Sequence, residues 1–200
     1  MNIGLYGGTF SPPHIAHVRA ARLFIERAEL DRLLVMPAGI PPHKQADKWG
    51  SADHRLEMTR LAFGSFAEIS EYEIAKEGRS YTVETLRYLR EKCPSDKLFM
   101  LVGEDMFLSL EQWREPAEIM KLCTVVAMRR ADMPASVMET KKKELEEAFG
   151  ANIILMEADP LELSSTEVRE KTAKGEDTKA LLPDAVYEYI KEHGLYRNDS

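Results

Sequence analysis

A doubly wound α/β sheet, Rossmann-like and parallel, is the fold this sequence predicts, and three observations predict it. Six apolar runs of strand length recur along the chain, segments of helical period lie between them, and the alternation repeats about six times. Each parallel strand needs a crossover, and helical crossovers cover both faces of the sheet.

The strands are expected at residues 2–6 (NIGLY), 33–37 (LLVMP), 67–72 (AEISEY), 97–103 (KLFMLVG), 123–128 (CTVVAM) and 152–157 (NIILME). Between them, Ala21, Leu23, Phe24 and Ala28 fall near one face of a helix over 18–28, and Leu56, Leu61 and Ala62 do the same in 54–63. Val83, Leu86 and Leu89 repeat at helical spacing in 82–92 until Pro94 ends the segment. The charged run ETKKKELEEAF, residues 139–149, reads as a solvated helix face. After Ser164 two helical segments, 165–174 and 183–193, follow without a strand between them; Pro183 opens the second and Gly194 closes it. They predict a small C-terminal helical cap, within 163–200, on one domain that takes in residues 1–200.

Composition narrows the function. Apolar residues at 44% and charged residues at 30% are those of an ordinary soluble globular protein. A formal charge of −7 argues against a nucleic-acid binder, because binding a phosphate backbone needs a basic face. An anionic ligand must therefore meet locally focused positive groups. There is no basic n-region with an apolar h-region behind it, and no apolar run nears the ~18 residues of a membrane span, so a cytoplasmic protein with no membrane partner is expected. Cys93 and Cys123 stand at no metal-ligand spacing and read as small apolar fillers.

The chemistry begins where the first strand ends, at GGTFSPPHIAH, residues 7–17. Gly7, Gly8 and Thr9 fall at the turn where open α/β sheets hold phosphate. Glycines there would let the backbone take positive φ and aim its N–H groups at anionic oxygens; the plainer alternative is a tight strand-to-helix turn without a ligand. Neither G-x-x-x-x-G-K-S/T nor a G-x-G-x-x-G after the first strand occurs, which sets aside a P-loop NTPase and a dinucleotide fingerprint. Pro12 and Pro13 favour a helix start, placing His14 and His17 three apart on one face of its first turn, beside the positive end of the dipole. Such imidazoles could hold a metal, or donate to phosphate oxygens as charge develops on them. No cysteine or carboxylate completes a metal set in this stretch, which favours phosphate, and no protein metal site is expected.

A second signal is SSTEVR, residues 164–169. Ser164 and Glu167 fit a capping box. That leaves Ser165, Thr166 and Arg169, whose hydroxyls, helix-start N–H groups and guanidinium suit the outer phosphates of a triphosphate.

A glycine turn with H-x-x-H near one end and S-S-T-x-x-R near the other resembles the nucleotidyltransferase superfamily. PAGIPPHK, RSYTVETL, LVGEDMFLSLEQW, SSTEVR and the closing LLPDAVYEYIKEHGLY stand in the order seen in bacterial nicotinate-nucleotide adenylyltransferases, over nearly the whole chain. The resemblance implies transfer of AMP from ATP to the 5′-phosphate of nicotinic acid mononucleotide, giving deamido-NAD and pyrophosphate. It also implies direct in-line attack without a covalent intermediate, and Mg²⁺ carried on the ATP phosphates. By the family's pattern Gly8, Thr9 and Phe10 would touch the nucleotide phosphates, and His14 and His17 would donate to the transferring and leaving oxygens. Ser165, Thr166 and Arg169 would hold the β- and γ-phosphates, with His14, His17 and Arg169 as the catalytic set. Gly103 and Asp105 would meet ribose or adenine. Thr82, Thr85 and Trp113 resemble a pyridine pocket, with Lys44 and Arg130 as phosphate or carboxylate contacts.

Three positions depart from that pattern. Ser11 stands where family members carry aspartate, Ala16 where they carry a glycine that leaves room for adenine, and Arg114 where some have tyrosine. Residues 38–50 are a lid candidate, and a homo-oligomer is compatible with the sequence. A preference for the acid mononucleotide is expected, because a ring carboxylate gains more than a carboxamide from N–H donors or a lysine. The competing readings are a phosphopantetheine adenylyltransferase, a cytidylyltransferase, or a nucleotide-binding sensor without turnover.

Overall fold

In the computed structural model, residues 1–39, 50–76, 78–129, 133–157 and 163–197 are described. Strands β1 (Asn2–Gly8), β2 (Arg32–Pro37), β3 (Glu68–Ile69), β4 (Lys97–Gly103), β5 (Thr124–Arg129) and β6 (Ile153–Glu157) form one parallel sheet in the order β3-β2-β1-β4-β5-β6. The chain winds outward from β1 to β3, returns to place β4 on the other side of β1, and winds outward again. The carboxyl ends of β1 and β4 therefore flank the crevice at the topological switch point.

Helices α1 (Ile15–Arg27), α2 (Ala52–Phe63), α3 (Tyr72–Ala75), α4 (Thr82–Lys92), α5 (Glu104–Leu108), α6 (Pro116–Leu122), α7 (Ala135–Phe149), α8 (Ser165–Ala173) and α9 (Asp184–Glu192) cover the two faces. Successive strand residues feed opposite layers: Met100 and Val125 join the core under α4–α7, while Leu101 and Val126 join the core under α1, α2, α8 and α9. Burial on both faces explains why the strands are continuous apolar runs. Gly4 lets α1 lie close to β1, since a Cβ there would stand 2.4 Å from Leu30 and 2.9 Å from Phe24.

Several elements differ from expectation. β3 pairs only through Glu68 and Ile69, not 67–72, because it is an edge strand bonded to β2 alone and the chain leaves it to form α3. There Tyr72 stacks on Tyr88 of α4 with ring centroids 4.0 Å apart. α1 starts at Ile15, three residues before the expected boundary, directly behind the proline pair. Leu61 is not on the buried face of α2: it is 38% exposed, and that face is Arg55, Leu56, Met58, Thr59, Ala62 and Phe63. The run 139–149 is solvated only in part, with Leu145 in the core and Lys141 tucked against Glu111 at 2.5 Å. The short helices α3, α5 and α6 were not expected, being too brief to show a period.

The C-terminal pair α8 and α9 forms where expected but is more than a cap. Val168, Val186 and Ile190 are core residues, packed in the same cluster as Phe24 and Phe63. Cys123 is buried and Cys93 half-buried against the core, both as free thiols. Among the described residues no helix is long and apolar enough to cross a membrane.

Candidate active site

The segment between β1 and α1 is shaped by one aromatic ring. Phe10 is buried and meets Tyr6, His17 and Phe63 edge-on at 5.3, 5.3 and 5.4 Å. To put its ring there its backbone is left-handed, with φ of 48°. A Cβ on Gly8 would come 2.8 Å from that ring, so the residue beneath it must be glycine. The turn thus corrects the sequence reading: Gly7 and Gly8 close β1, neither takes positive φ, and Phe10 is the residue that does.

His14 is the N-cap of α1 rather than a member of its first turn, and its N–H donates to Nδ1 of His17 at 3.2 Å. A neutral His17 with Nδ1 accepting carries its proton on Nε2, as a donor. The two rings stack with centroids 3.6 Å apart. Burial lowers the His14 pKa to about 4, against a small opposing pull from Glu167. Burial, and secondarily the neighbouring His14, hold His17 well below the ordinary imidazole value. Both rings are neutral near pH 7, and the buried Nδ1 of His14 has no hydrogen-bond partner.

The other end of the chain meets this turn directly. Ser164 caps α8, accepting the Glu167 N–H at 3.1 Å. Ser165 Oγ donates to the Pro12 carbonyl at 2.9 Å. Arg169 donates through Nη1 to the Ser11 carbonyl at 2.6 Å and through Nη2 to Thr166 Oγ1 at 3.1 Å. Burial weighs on this half-buried guanidinium and lowers its pKa, opposed by Tyr196 and Glu170.

Between the two ends lies a cavity of about 540 Å³. Thr9, Phe10, His14 and His17 form one wall, Ser165 and Thr166 another, and Gly103 with Asp105 a third. Tyr6, Leu23, Leu101 and Met128 add apolar surface. The Ala16 methyl is part of this wall. Gly8 and Arg169 stand behind the wall rather than in it, Arg169 through its bonds to Ser11 and Thr166.

The residues expected at a pyridine pocket are not brought to this cavity. Thr82 and Thr85 lie in the first turn of α4, and the Thr85 hydroxyl is committed to Glu73 Oε1 at 2.7 Å. Burial pushes the Glu73 carboxyl pKa up. Trp113 is half-buried against the α4–α7 core. Arg114 lies over the Tyr81 ring at 4.6 Å and pairs with Glu84 at 3.4 Å and Glu115 at 3.6 Å. Lys44, Arg130 and residues 40–49 of the lid candidate lie outside the described residues.

Arg55 was missed by sequence reasoning. It is 5% exposed, and its guanidinium donates to the carbonyls of Thr9 (3.0 Å), Ala38 (2.6 Å) and Gly39 (3.0 Å), tying the ends of β1 and β2 together. The available signal was an arginine on the apolar face of its helix, beside Leu56. Among the described residues no three His, Cys, Asp or Glu side chains gather as a metal site.

Residues 5–171 match a family model described as cytidylyltransferase-like. The chain is 36% identical over 195 residues to a Clostridium tetani protein named "Probable nicotinate-nucleotide adenylyltransferase", covering 96% of this chain and 98% of that one. A Geotalea daltonii protein of the same name is 36% identical, with 99% of each chain covered. Plasmodium falciparum nicotinic acid mononucleotide adenylyltransferase, solved in complex with NaAD, has the same fold, with a TM-score of 0.77 at 19% identity over 98% of this chain and 97% of that one. The chain therefore belongs to the cytidylyltransferase-like family and, within it, to the nicotinate-nucleotide adenylyltransferases.

Proposed function

We propose that the protein transfers AMP from ATP to nicotinic acid mononucleotide, releasing pyrophosphate and forming deamido-NAD. The observation that carries this reading is the cavity at the switch point, walled by the His14/His17 pair on one side and Ser165 with Thr166 on the other. A triphosphate laid between those walls meets donors from both ends of the chain, and its adenosine has the apolar surface of Tyr6, Leu101 and Met128 beside Gly103 and Asp105. The Ala16 methyl narrows that surface without closing the cavity.

The chemistry needs alignment and charge stabilisation. The 5′-phosphate of the mononucleotide attacks the α-phosphorus in line as the bond to pyrophosphate breaks, so no protein nucleophile is required. His17 Nε2–H supplies a fixed donor whose orientation is set before substrate arrives, by the bond from the His14 backbone. Ser165 and Thr166 serve the β- and γ-phosphates, with Arg169 behind them bonded to Thr166 Oγ1 and lending its charge from there. Mg²⁺ arrives as part of the ATP substrate, where it neutralises phosphate charge. Thr82, Trp113, Lys44 and Arg130 are assigned to the pyridine nucleotide, with the acid form preferred.

The test is pyrophosphate release with ATP and either the acid or the amide mononucleotide, with CTP and phosphopantetheine as controls. Turnover with ATP and the acid form, well above the others, is expected. Equal efficiency on acid and amide removes the preference, and turnover only with CTP or phosphopantetheine overturns the reading.

A further inference from the structure

The last described turn of the chain reaches the segment between β1 and α1, behind the cavity wall. Tyr196 follows α9, and its hydroxyl lies 3.1 Å from Ser11 Oγ, a contact across 185 residues. Ser11 is fully buried, and its carbonyl is the one that holds Arg169 Nη1 at 2.6 Å. Burial raises the Tyr196 pKa, so the phenol is neutral and keeps its proton for the bond to Ser11. Arg55 and Arg169 bind opposite flanks of the same turn, at the Thr9 and Ser11 carbonyls.

The backbone is strained to achieve this. Tyr196 sits in the left-handed region at φ of 60°, and Phe10, the residue before Ser11, at 48°. Non-glycine residues there persist only where their surroundings over-determine them. Helix α9 needs no such residue to end, since Gly194 already takes φ of 61° just beyond it. The strain at Tyr196 is instead matched by where its side chain goes.

We propose that Tyr196 is a positioning residue for ATP: its hydroxyl fixes Ser11, and the Ser11 carbonyl in turn fixes Arg169, which holds Thr166 in the cavity wall beside the triphosphate. This rests on the adenylyltransferase reading for the identity of the nucleotide, not for the linkage itself. Ser11 is thereby explained as the middle member of a three-residue relay.

Tyr196→Phe keeps the ring and removes the oxygen; Ser11→Ala cuts the same contact from the other side and keeps the carbonyl. Each single variant is expected to raise the KM for ATP about 3- to 10-fold, the range for one neutral hydrogen bond, with the KM for the acid mononucleotide unchanged. The double variant is expected to be no worse than either single one. No change in the ATP KM, equal changes for both substrates, or additive effects in the double variant would overturn the proposal. Titration calorimetry of Mg·ATP binding to the same four proteins reads the linkage without turnover. If the unmodified protein forms no pyrophosphate, the functional reading fails, and the calorimetric cycle still decides the role of Tyr196.

Discussion

The two shoulders of the crevice are built differently. On the phosphate shoulder, Pro12, Ser11 and Thr9 are each held through a backbone carbonyl by a side chain from elsewhere in the fold: Ser165, Arg169 and Arg55. On the α4 shoulder the fastenings are mostly ion pairs near the surface. Arg87 pairs with Glu118 at 2.9 Å and Glu115 at 2.6 Å, Arg114 with Glu84, and Lys76 with Glu84. Part-buried bonds to backbone carbonyls fix the path of the chain, whereas ion pairs between side chains at or near the surface fix little. Rigidity is concentrated at the turn that carries His14 and His17, which on the proposed function is where charge is stabilised, and the other shoulder is left able to adapt.

Removing a donor from the rigid shoulder should have the largest effect. His17→Ala is expected to lower kcat for pyrophosphate release by about 10²- to 10³-fold, the usual cost of one preorganised donor. An unchanged kcat would mean that the imidazole is only a capping group. Next, Arg55→Met leaves three carbonyls without their donor and is expected to cost about 3 kcal/mol in denaturant unfolding.

The histidines make the same shoulder acid-sensitive. Because their folded-state pKa values are depressed, the unfolded chain takes up protons near pH 6.5 that the folded chain refuses. Stability is full above that value and falls as pH drops toward about 4, where His14 titrates. His14 alone accounts for about 3 kcal/mol of this loss, so His14→Asn should make the stability profile less steep between those limits, leaving the contribution of His17. The smallest effect belongs to the adaptable shoulder: Arg87→Ala should leave the thermal midpoint unchanged within error, and a clear drop would erase the contrast.

Much of this could be read from the residues. Strands buried on both faces are legible as unbroken apolar runs, and α4 showed its Val83, Leu86 and Leu89 stripe. Ser165, Thr166 and Arg169 stood out because the Ser164–Glu167 cap left them unexplained, and the structure brings them to the first turn. What escaped was set by tertiary contacts that leave no local pattern. The place of Arg55 on the apolar face of α2 signals a buried cation, but not that the ends of β1 and β2 meet its tip. The positive φ was assigned to glycines by habit of type, yet Phe10 takes it because three aromatic neighbours reward its ring. Leu61 misled because α2 buries a broader, partly polar face than its leucines suggest.

The bonds from Ser165 to Pro12 and from Arg169 to Ser11 join residues 153 and 158 apart. A ribosome building this polypeptide must therefore extrude α8 before the first turn finds those partners. Nascent fragments lacking α8 carry His14 and His17 but leave the Pro12 and Ser11 carbonyls without the partners that α8 brings them.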